Sequence, residues 1–454
     1  MHAHARGLVA TLALLLVAPP FARAVRPAVR IGTAATIHGV TIPVGLQATS
    51  DDVSPALGRA ILFGPVAPVH DDDTALAVVD TRRGRLLSRV VLPGADLESG
   101  PTAASLALLA IDDAHARAYT ITYIDRAVPI LRAFDLANGR LLYRRVVAAS
   151  APYGGLANSA VDTTSGNFYY VDSTVSTTGA PGGRPRDLVL VSPAGAIRAR
   201  VPVPEFDRLY VDNLRRRILV IEESGCCKPG DIYHVEAFTI ANLTRQWRIA
   251  LPMFAMSTST SPIDTAFSEA TGNLYFLNLN GQVVGVEGAN GDVTQAYLGL
   301  EHPSLTSDYR EQRLIIDPGH GAYVSWCGAD VCGVDRVDLG HGRRITRRSV
   351  PRATLDHALT TPSTHSLTNS TFLGARVDRG GWPQAFYLDT PYGIGGGIAV
   401  SPRDRVTTFD WRSAVGTQQP LPIPSTERLL DEGQVGAAIV ITAVGQATWS
   451  AIIF

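Results

Sequence analysis

A short apolar strand closed by a tight turn recurs about every fifty residues, and nothing else in this 454-residue sequence constrains its fold as strongly. The clearest copies run from Ala77 through Asp80 to Gly84 and from Arg132 through Asp135 to Gly139, each followed by Arg-Leu-Leu. Weaker copies place the turn at Gly195, Leu243, Gly291 and Gly342. An aspartate that opens such a turn can bond the backbone two residues on, and glycine takes the left-handed position. A second element falls between these turns. Asp112 precedes Tyr119, and Asp162 precedes Tyr169, by the same step that separates Asp212 from Leu219 and Ser268 from Tyr275; the step from Asp317 to Tyr323 is one shorter. Each unit therefore reads strand, tight turn, strand, variable loop, strand, tight turn, strand. β-Branched and aromatic residues alternate between Gly, Asp, Asn and Pro, without a sustained helical period.

Four strands in about fifty residues is the content of one propeller blade. The pattern of two apolar residues and Asp, a turn, a Tyr-bearing strand and then Val-Val-Asp-x-x-x-Gly resembles the YVTN-type β-propeller repeats. That group includes quinoprotein amine dehydrogenase heavy chains and other exported propellers. The resemblance covers about residues 50–345 and implies a fold without naming a ligand. The expectation is an all-β chain, a single closed propeller over 25–454 with seven four-stranded blades, eight being the alternative. After Pro351 the register blurs. Gly395 to Pro402 with Val406 to Asp410 reads as an inner strand pair, and Val435 to Thr442 with Gln446 to Phe454 as the outer pair of a last blade. Residues 352–394 then form an irregular insertion or an extra strand pair. The run Val29 to Gly45 is expected to add a strand to the terminal blade and so remove an open edge.

Residues 1–24 carry a His/Arg-bearing start, an apolar run from Leu8 to Ala18 and the small-residue close Ala22-Arg23-Ala24, the layout of a secretory signal peptide. The run is far short of the roughly 20 residues that span a bilayer. Export to a secreted or periplasmic location is expected, with no membrane span. A hydrophobic content of 46% supports a buried core, and a net charge of −1 supplies no basic face for nucleic acid. Lys228 is the only lysine, and the arginines read as spread along the chain, as a GC-rich genome would produce.

Blade geometry puts the tight turns on one face and the loops of variable length on the other, and such variation marks a binding face. The four cysteines fall in these loops: Cys226 and Cys227 in one, Cys327 and Cys332 in another. An even count in an exported chain favours disulfides, and the spacing misses the usual zinc pattern. Three connectivities are open. The local one joins Cys327 to Cys332 and Cys226 to Cys227; the other two tie the loops to each other. The expected ligand face combines Cys226, Cys227, Lys228 and His234 with His302, Tyr309 and Arg310, and with Trp326 as a flat apolar surface. His70, Asp71 and Asp73 are a weak candidate for a cation, against a solvated acidic loop. No phosphate loop, nucleophile elbow or zinc-protease motif is present, and no cofactor is named by any motif. Two functional classes remain. One is an exported propeller that binds a small molecule or a protein on the variable face. The other is an enzyme using the channel mouth, either an amine-dehydrogenase-like oxidoreductase subunit or a lyase or hydrolase.

Overall fold

The computed structural model describes residues 38–46, 48, 50–54, 57–66, 74–92, 108–124, 128–146, 159–173, 186–203, 208–223, 232–255, 262–278, 281–297, 313–317, 321–359, 370–377, 381–389, 399–400, 405–420, 427–431, 439–443 and 448–453. The candidate signal peptide lies outside these residues. Within them, strands form eight separate antiparallel sheets, seven of four strands and one of five. Sheets 1 to 6 are consecutive four-strand meanders within 50–92, 108–146, 159–203, 208–255, 262–297 and 313–351. Their boundaries follow the repeat read from the sequence. No helix among the described residues is long and apolar enough to cross a membrane.

The end of the chain departs from the seven-unit expectation. Ser370–Val377 and Pro383–Asp389, inside the segment expected to be an insertion or an extra strand pair, pair with each other and continue to Arg405–Asp410 and Val415–Pro420 as sheet 7. Ala399–Val400 does not join Arg405–Asp410 as expected. It pairs with Glu427–Asp431, which leads through Ile439–Ala443 and Thr448–Ile453 to the N-terminal strand His38–Pro43 in sheet 8. The repeat is hard to see here because the connection between the second and third strands of sheet 7 lends a strand to sheet 8. The expected outer pair near the C-terminus and the added N-terminal strand are both present.

Side chains alternate across each strand, so every sheet offers two apolar faces, and the core forms between successive sheets. Tyr119, Ile121 and Leu131 of sheet 2 pack on Phe168, Tyr170 and Val189 of sheet 3, with the Tyr119 and Phe168 rings stacked 5.2 Å apart. The other faces of sheet 3 and sheet 4 meet through Tyr169, Leu190, Ile218 and Phe238. Each such ring contributes about 1.5–3 kcal/mol on burial. The first strands of sheets 1 to 4 lie side by side, as do those of sheets 5 and 6. The helix Arg352–Leu359 follows sheet 6 and sets Leu355 and Leu359 into the core between sheets 6 and 7.

The arginines are less scattered than the linear sequence suggests. The outermost strands of sheets 2 and 6 read Arg-Leu-Leu-Tyr-Arg-Arg-Val and Arg-Arg-Ile-Thr-Arg-Arg-Ser-Val-Pro, and neither carries an acid. Charge on an edge strand opposes pairing with a second chain.

Candidate functional site

The tight-turn face is built by local chemistry repeated in each sheet. Asp112, Asp162 and Asp212 end the first strands of sheets 2, 3 and 4 with their side chains buried. Each accepts a backbone N–H from its own turn: His115 N at 3.2 Å, Thr164 N at 3.0 Å and Arg215 N at 3.1 Å. In the outer turns Asp80 and Asp135 accept from Arg83 N and Ala137 N in the same way. Gly139 supplies the left-handed residue with φ 76°, whereas Arg216 occupies the equivalent position of its own turn at φ 58°.

The guanidinium of Arg216 ties this turn to its neighbour. It forks onto Asp162 of the preceding sheet at 2.7 and 2.8 Å. Burial alone would raise the Asp162 carboxyl. Arg216, the Ser165 hydroxyl and the Thr164 amide outweigh it and hold the group below the usual carboxylate range. Asp112 sits at the same place in sheet 2, but its side-chain partner is the local His115, with Nδ1 at 2.7 Å, and burial pushes its carboxyl up. Tyrosines of the second strands add a further tie between sheets: the Tyr119, Tyr169 and Tyr323 hydroxyls donate to Gly166 O, Ile240 O and Gly381 O at 3.0, 2.6 and 2.6 Å. These contacts join neighbouring sheets into a scaffold.

On the opposite face, most connections lie outside the described residues. That holds for His70, Asp71 and Asp73, for Cys226, Cys227 and Lys228, and for His302, Tyr309 and Arg310. Four candidates are placed: His234, Trp326, Cys327 and Cys332. His234 is half-buried on Ile232–Thr239, opposite Glu222 and Ala250. Cys327 and Cys332 face each other across neighbouring strands and form a disulfide, the local pairing. Their connection is a tight hairpin and not a long loop, and both residues belong to the core. Arg352 clamps that hairpin: its N–H donates to Asp330 O at 2.7 Å and its guanidinium to Gly328 O at 3.0 Å.

Trp326 does not present the flat exposed surface expected of it. It is 1% exposed and lies across from Gly333, where a Cβ would come within 2.5 Å of the indole. Arg347 stands 5.0 Å over the ring while its guanidinium forks onto buried Asp335 at 2.7 and 2.8 Å. The residue beside Cys327 thus fills the space between strands.

A charged rung that sequence reading missed lies on three successive first strands. Arg208, Asp264 and Arg313 each sit four residues before the strand's last residue, Asp212, Ser268 and Asp317 respectively. All three are half-buried. Asp264 accepts Leu314 N of the next sheet at 2.8 Å and Thr265 N at 2.9 Å. Burial pushes its carboxyl up, against the pull of Arg313, those amides and Arg208. The signal was available: the same register position carries a charge in three consecutive units. Among the described residues, no group of three or more His, Cys, Asp or Glu side chains is placed to hold a metal ion.

No protein-family model and no curated protein matches this chain. Solved structures do. The Dos1 propeller superposes with a TM-score of 0.50 at 12% identity, over 91% of this chain and 94% of that one. The WD40 domain of SCAP from fission yeast gives 0.45 at 10% identity, over 91% and 98%. At such identity the likeness speaks for architecture alone. With its run of four-stranded antiparallel sheets, the chain has a β-propeller fold.

Proposed function

We propose that this chain is an exported β-propeller that binds a small molecule or a protein on its variable-loop face, its eight sheets closing into a ring. The observation that carries this reading is the contrast between the faces. The tight-turn face spends its Asp, Arg and Tyr side chains on bonds within the turns and between sheets, whereas connection length varies far more on the other. Export rests on the signal-like residues 1–24 and agrees with a buried disulfide, which persists in an oxidising compartment. The ligand face combines the loops bearing Cys226, Cys227, Lys228, His302, Tyr309 and Arg310 with the charged rung of Arg208, Asp264 and Arg313. One observation favours catalysis at the same mouth as a second reading: Asp264 is a carboxyl with perturbed proton affinity beside two arginines, a feature common in active sites.

The test compares purified exported protein with a Tyr309→Ala/Arg310→Ala pair and with an Asn138→Ala/Arg412→Ala pair on the tight turns. Bound small molecules and co-purifying proteins are identified by mass spectrometry. The reading expects one species to be lost with the loop pair and kept by the turn pair. A species kept by both, or lost equally from both, overturns it.

A further inference from the structure

We propose that the outer edge of sheets 1 to 3, beside the tight-turn face, docks on an anionic phospholipid bilayer, with Leu86, Leu141 and Ile197 entering the headgroup layer and neighbouring arginines meeting its phosphates. This surface lies apart from the variable-loop face and does not depend on what binds there.

Placement comes first. The outermost strands of these sheets are Arg85–Leu92, Arg140–Val146 and Ile197–Val203. Leu86, Leu141 and Ile197 stand opposite Val79, Phe134 and Val191, each the last residue before its turn. They therefore hold one register position, just past the tight turn. The same contact carries the row across both sheet boundaries. Gly139, two residues before Leu141, sits on Ser88, two residues after Leu86, and its carbonyl accepts the Ser88 hydroxyl. Gly195, two residues before Ile197, sits on the ring of Tyr143, two residues after Leu141. Three sheets thus present equivalent side chains along one continuous edge.

Exposure comes second. Leu86, Leu141 and Ile197 are 36%, 37% and 40% exposed, and Val91 and Val146 on the same strands are 46% and 61% exposed. Five of the nine large apolar side chains exposed among the described residues lie on these three strands, so the exposure is concentrated here and not scattered.

Charge comes third. The three strands carry seven arginines and no acid. Some are already engaged. Arg85 stands 4.0 Å from Asp80, which Arg59 holds at 3.1 Å; Arg89 donates to Gly45 O, and Arg200 pairs with Asp187 at 3.0 Å. Arg140 and Arg198 are exposed, and their guanidiniums meet no acid among the described residues. Asp135, opposite Arg140, accepts Ala137 N and Asn138 Nδ2 within its own turn, and sheet 3 has Ser192 in that place. Arg145 lies over the Tyr143 ring at 5.9 Å and donates to a carbonyl. Sheet 4 differs: there Arg245 and Arg248 answer buried Glu236. Arginines without an internal acid are available to an external anion.

Partner class follows from the spacing. The apolar tips along the row are single side chains one sheet apart, each next to an arginine in the chain. A folded partner buries a contiguous apolar centre. A headgroup layer takes such side chains one at a time while the cations meet phosphates.

The experiment sediments purified exported protein with vesicles of phosphatidylcholine alone and of phosphatidylcholine mixed with phosphatidylglycerol. The protein should bind the mixed vesicles, release them at high salt and ignore the neutral ones. Arg140→Gln/Arg198→Gln should weaken binding about tenfold, as loss of two cations at an anionic surface would. Arg344→Gln/Arg412→Gln, with the same change of net charge on sheets 6 and 7, should leave it unchanged, as should Tyr309→Ala/Arg310→Ala on the variable face. Leu86→Ser/Leu141→Ser/Ile197→Ser should weaken it with the melting temperature preserved. No binding to the mixed vesicles, an equal loss in the Arg344/Arg412 pair, or full binding by the apolar triple variant overturns the proposal. A single-stranded oligonucleotide bound as tightly as the vesicles also overturns it, since the edge would then be a general polyanion site. Should the apolar variant fail to fold, the two arginine pairs still decide the matter.

Discussion

Asp162 and Asp112 occupy the same position in neighbouring sheets and titrate in opposite directions, because a side chain's partner matters more than its place in the repeat. The Arg216 fork is supplied by the next sheet, so the lowered carboxyl of Asp162 is a folded-state property. A carboxyl held below its unfolded value stabilises the fold above that value, 3.8 here, and the stabilisation is lost as pH falls through the lower folded value. Asp162→Asn should therefore lose stability at neutral pH and show a flatter decline between pH 4 and pH 2 than the wild type, measured by urea unfolding across that range. A parallel decline in both proteins would mean that other carboxylates set the acid limit. Trp326 calls for a different expectation from the one its sequence context invites. With 1% exposure and Gly333 beneath the ring, Trp326→Ala leaves a cavity and should cost about 3–5 kcal/mol in urea unfolding. Gly333→Ala should destabilise as well, since its Cβ would meet the indole at 2.5 Å and Arg348 O at 2.8 Å. A normal unfolding midpoint in both would return Trp326 to the list of surface candidates. Nothing in Ser325-Trp326-Cys327 signals burial; that depends on the glycine across the strand pair.

At the scale of the element, the legible part was whatever the turns repeat. Asp135 to Gly139 and Asp162 to Tyr169 carry their geometry in a few adjacent residues, so strand order in sheets 1 to 6 could be read directly. Sheet 7 could not, because its second and third strands are separated by a connection that pairs elsewhere at Ala399–Val400. Pairing between distant segments leaves no local mark. The same limit hid the charged rung, since Arg208, Asp264 and Arg313 are some fifty residues apart and share only their place in the repeat. The hairpin of Cys327 and Cys332 is a middle case: its pairing was one of three connectivities the sequence left open, and its burial had no local signal. Joining residues five apart in sequence, the disulfide closes a short loop and should contribute about 2 kcal/mol. Cys327→Ser/Cys332→Ser should lower the urea midpoint by the corresponding amount and leave the strand content by circular dichroism unchanged. Denatured protein should show near-zero reactive thiol before reduction and about four thiols per chain after it. About two before reduction would mean that Cys226 and Cys227 remain reduced.

At the scale of the whole molecule, the N-terminal strand links the two ends of the described chain. His38–Pro43 pairs with Thr448–Ile453 from Ile453 back to Thr448, while Ile42, Val44, Leu46 and Ala48, each at most 1% exposed, pack against Ala60, Leu62, Ala75 and Ala77 of sheet 1. One short segment thus completes the edge of sheet 8 and covers a face of sheet 1. Arg89 of sheet 1 fastens it further by donating to Gly45 O at 3.0 Å. Removing it would expose a strand edge with no arginine on it, since Thr448–Ile453 reads Thr-Trp-Ser-Ala-Ile-Ile, unlike the basic outer strands of sheets 2 and 6. An apolar, uncharged edge is a template for pairing with another chain. A chain starting at Gln47 should therefore melt lower than one starting at Val25, and it should form dimers or larger species in light scattering. Chain cleavage should begin near the C-terminus, because sheet 8 opens before the tied sheets 2 to 4. Replacing Ala451 with Arg in the truncated chain should suppress the association without restoring the melting temperature, which separates the edge effect from the lost core. A truncated chain that stays monomeric and melts as the longer one does would show that sheets 1 and 8 hold together without the N-terminal strand.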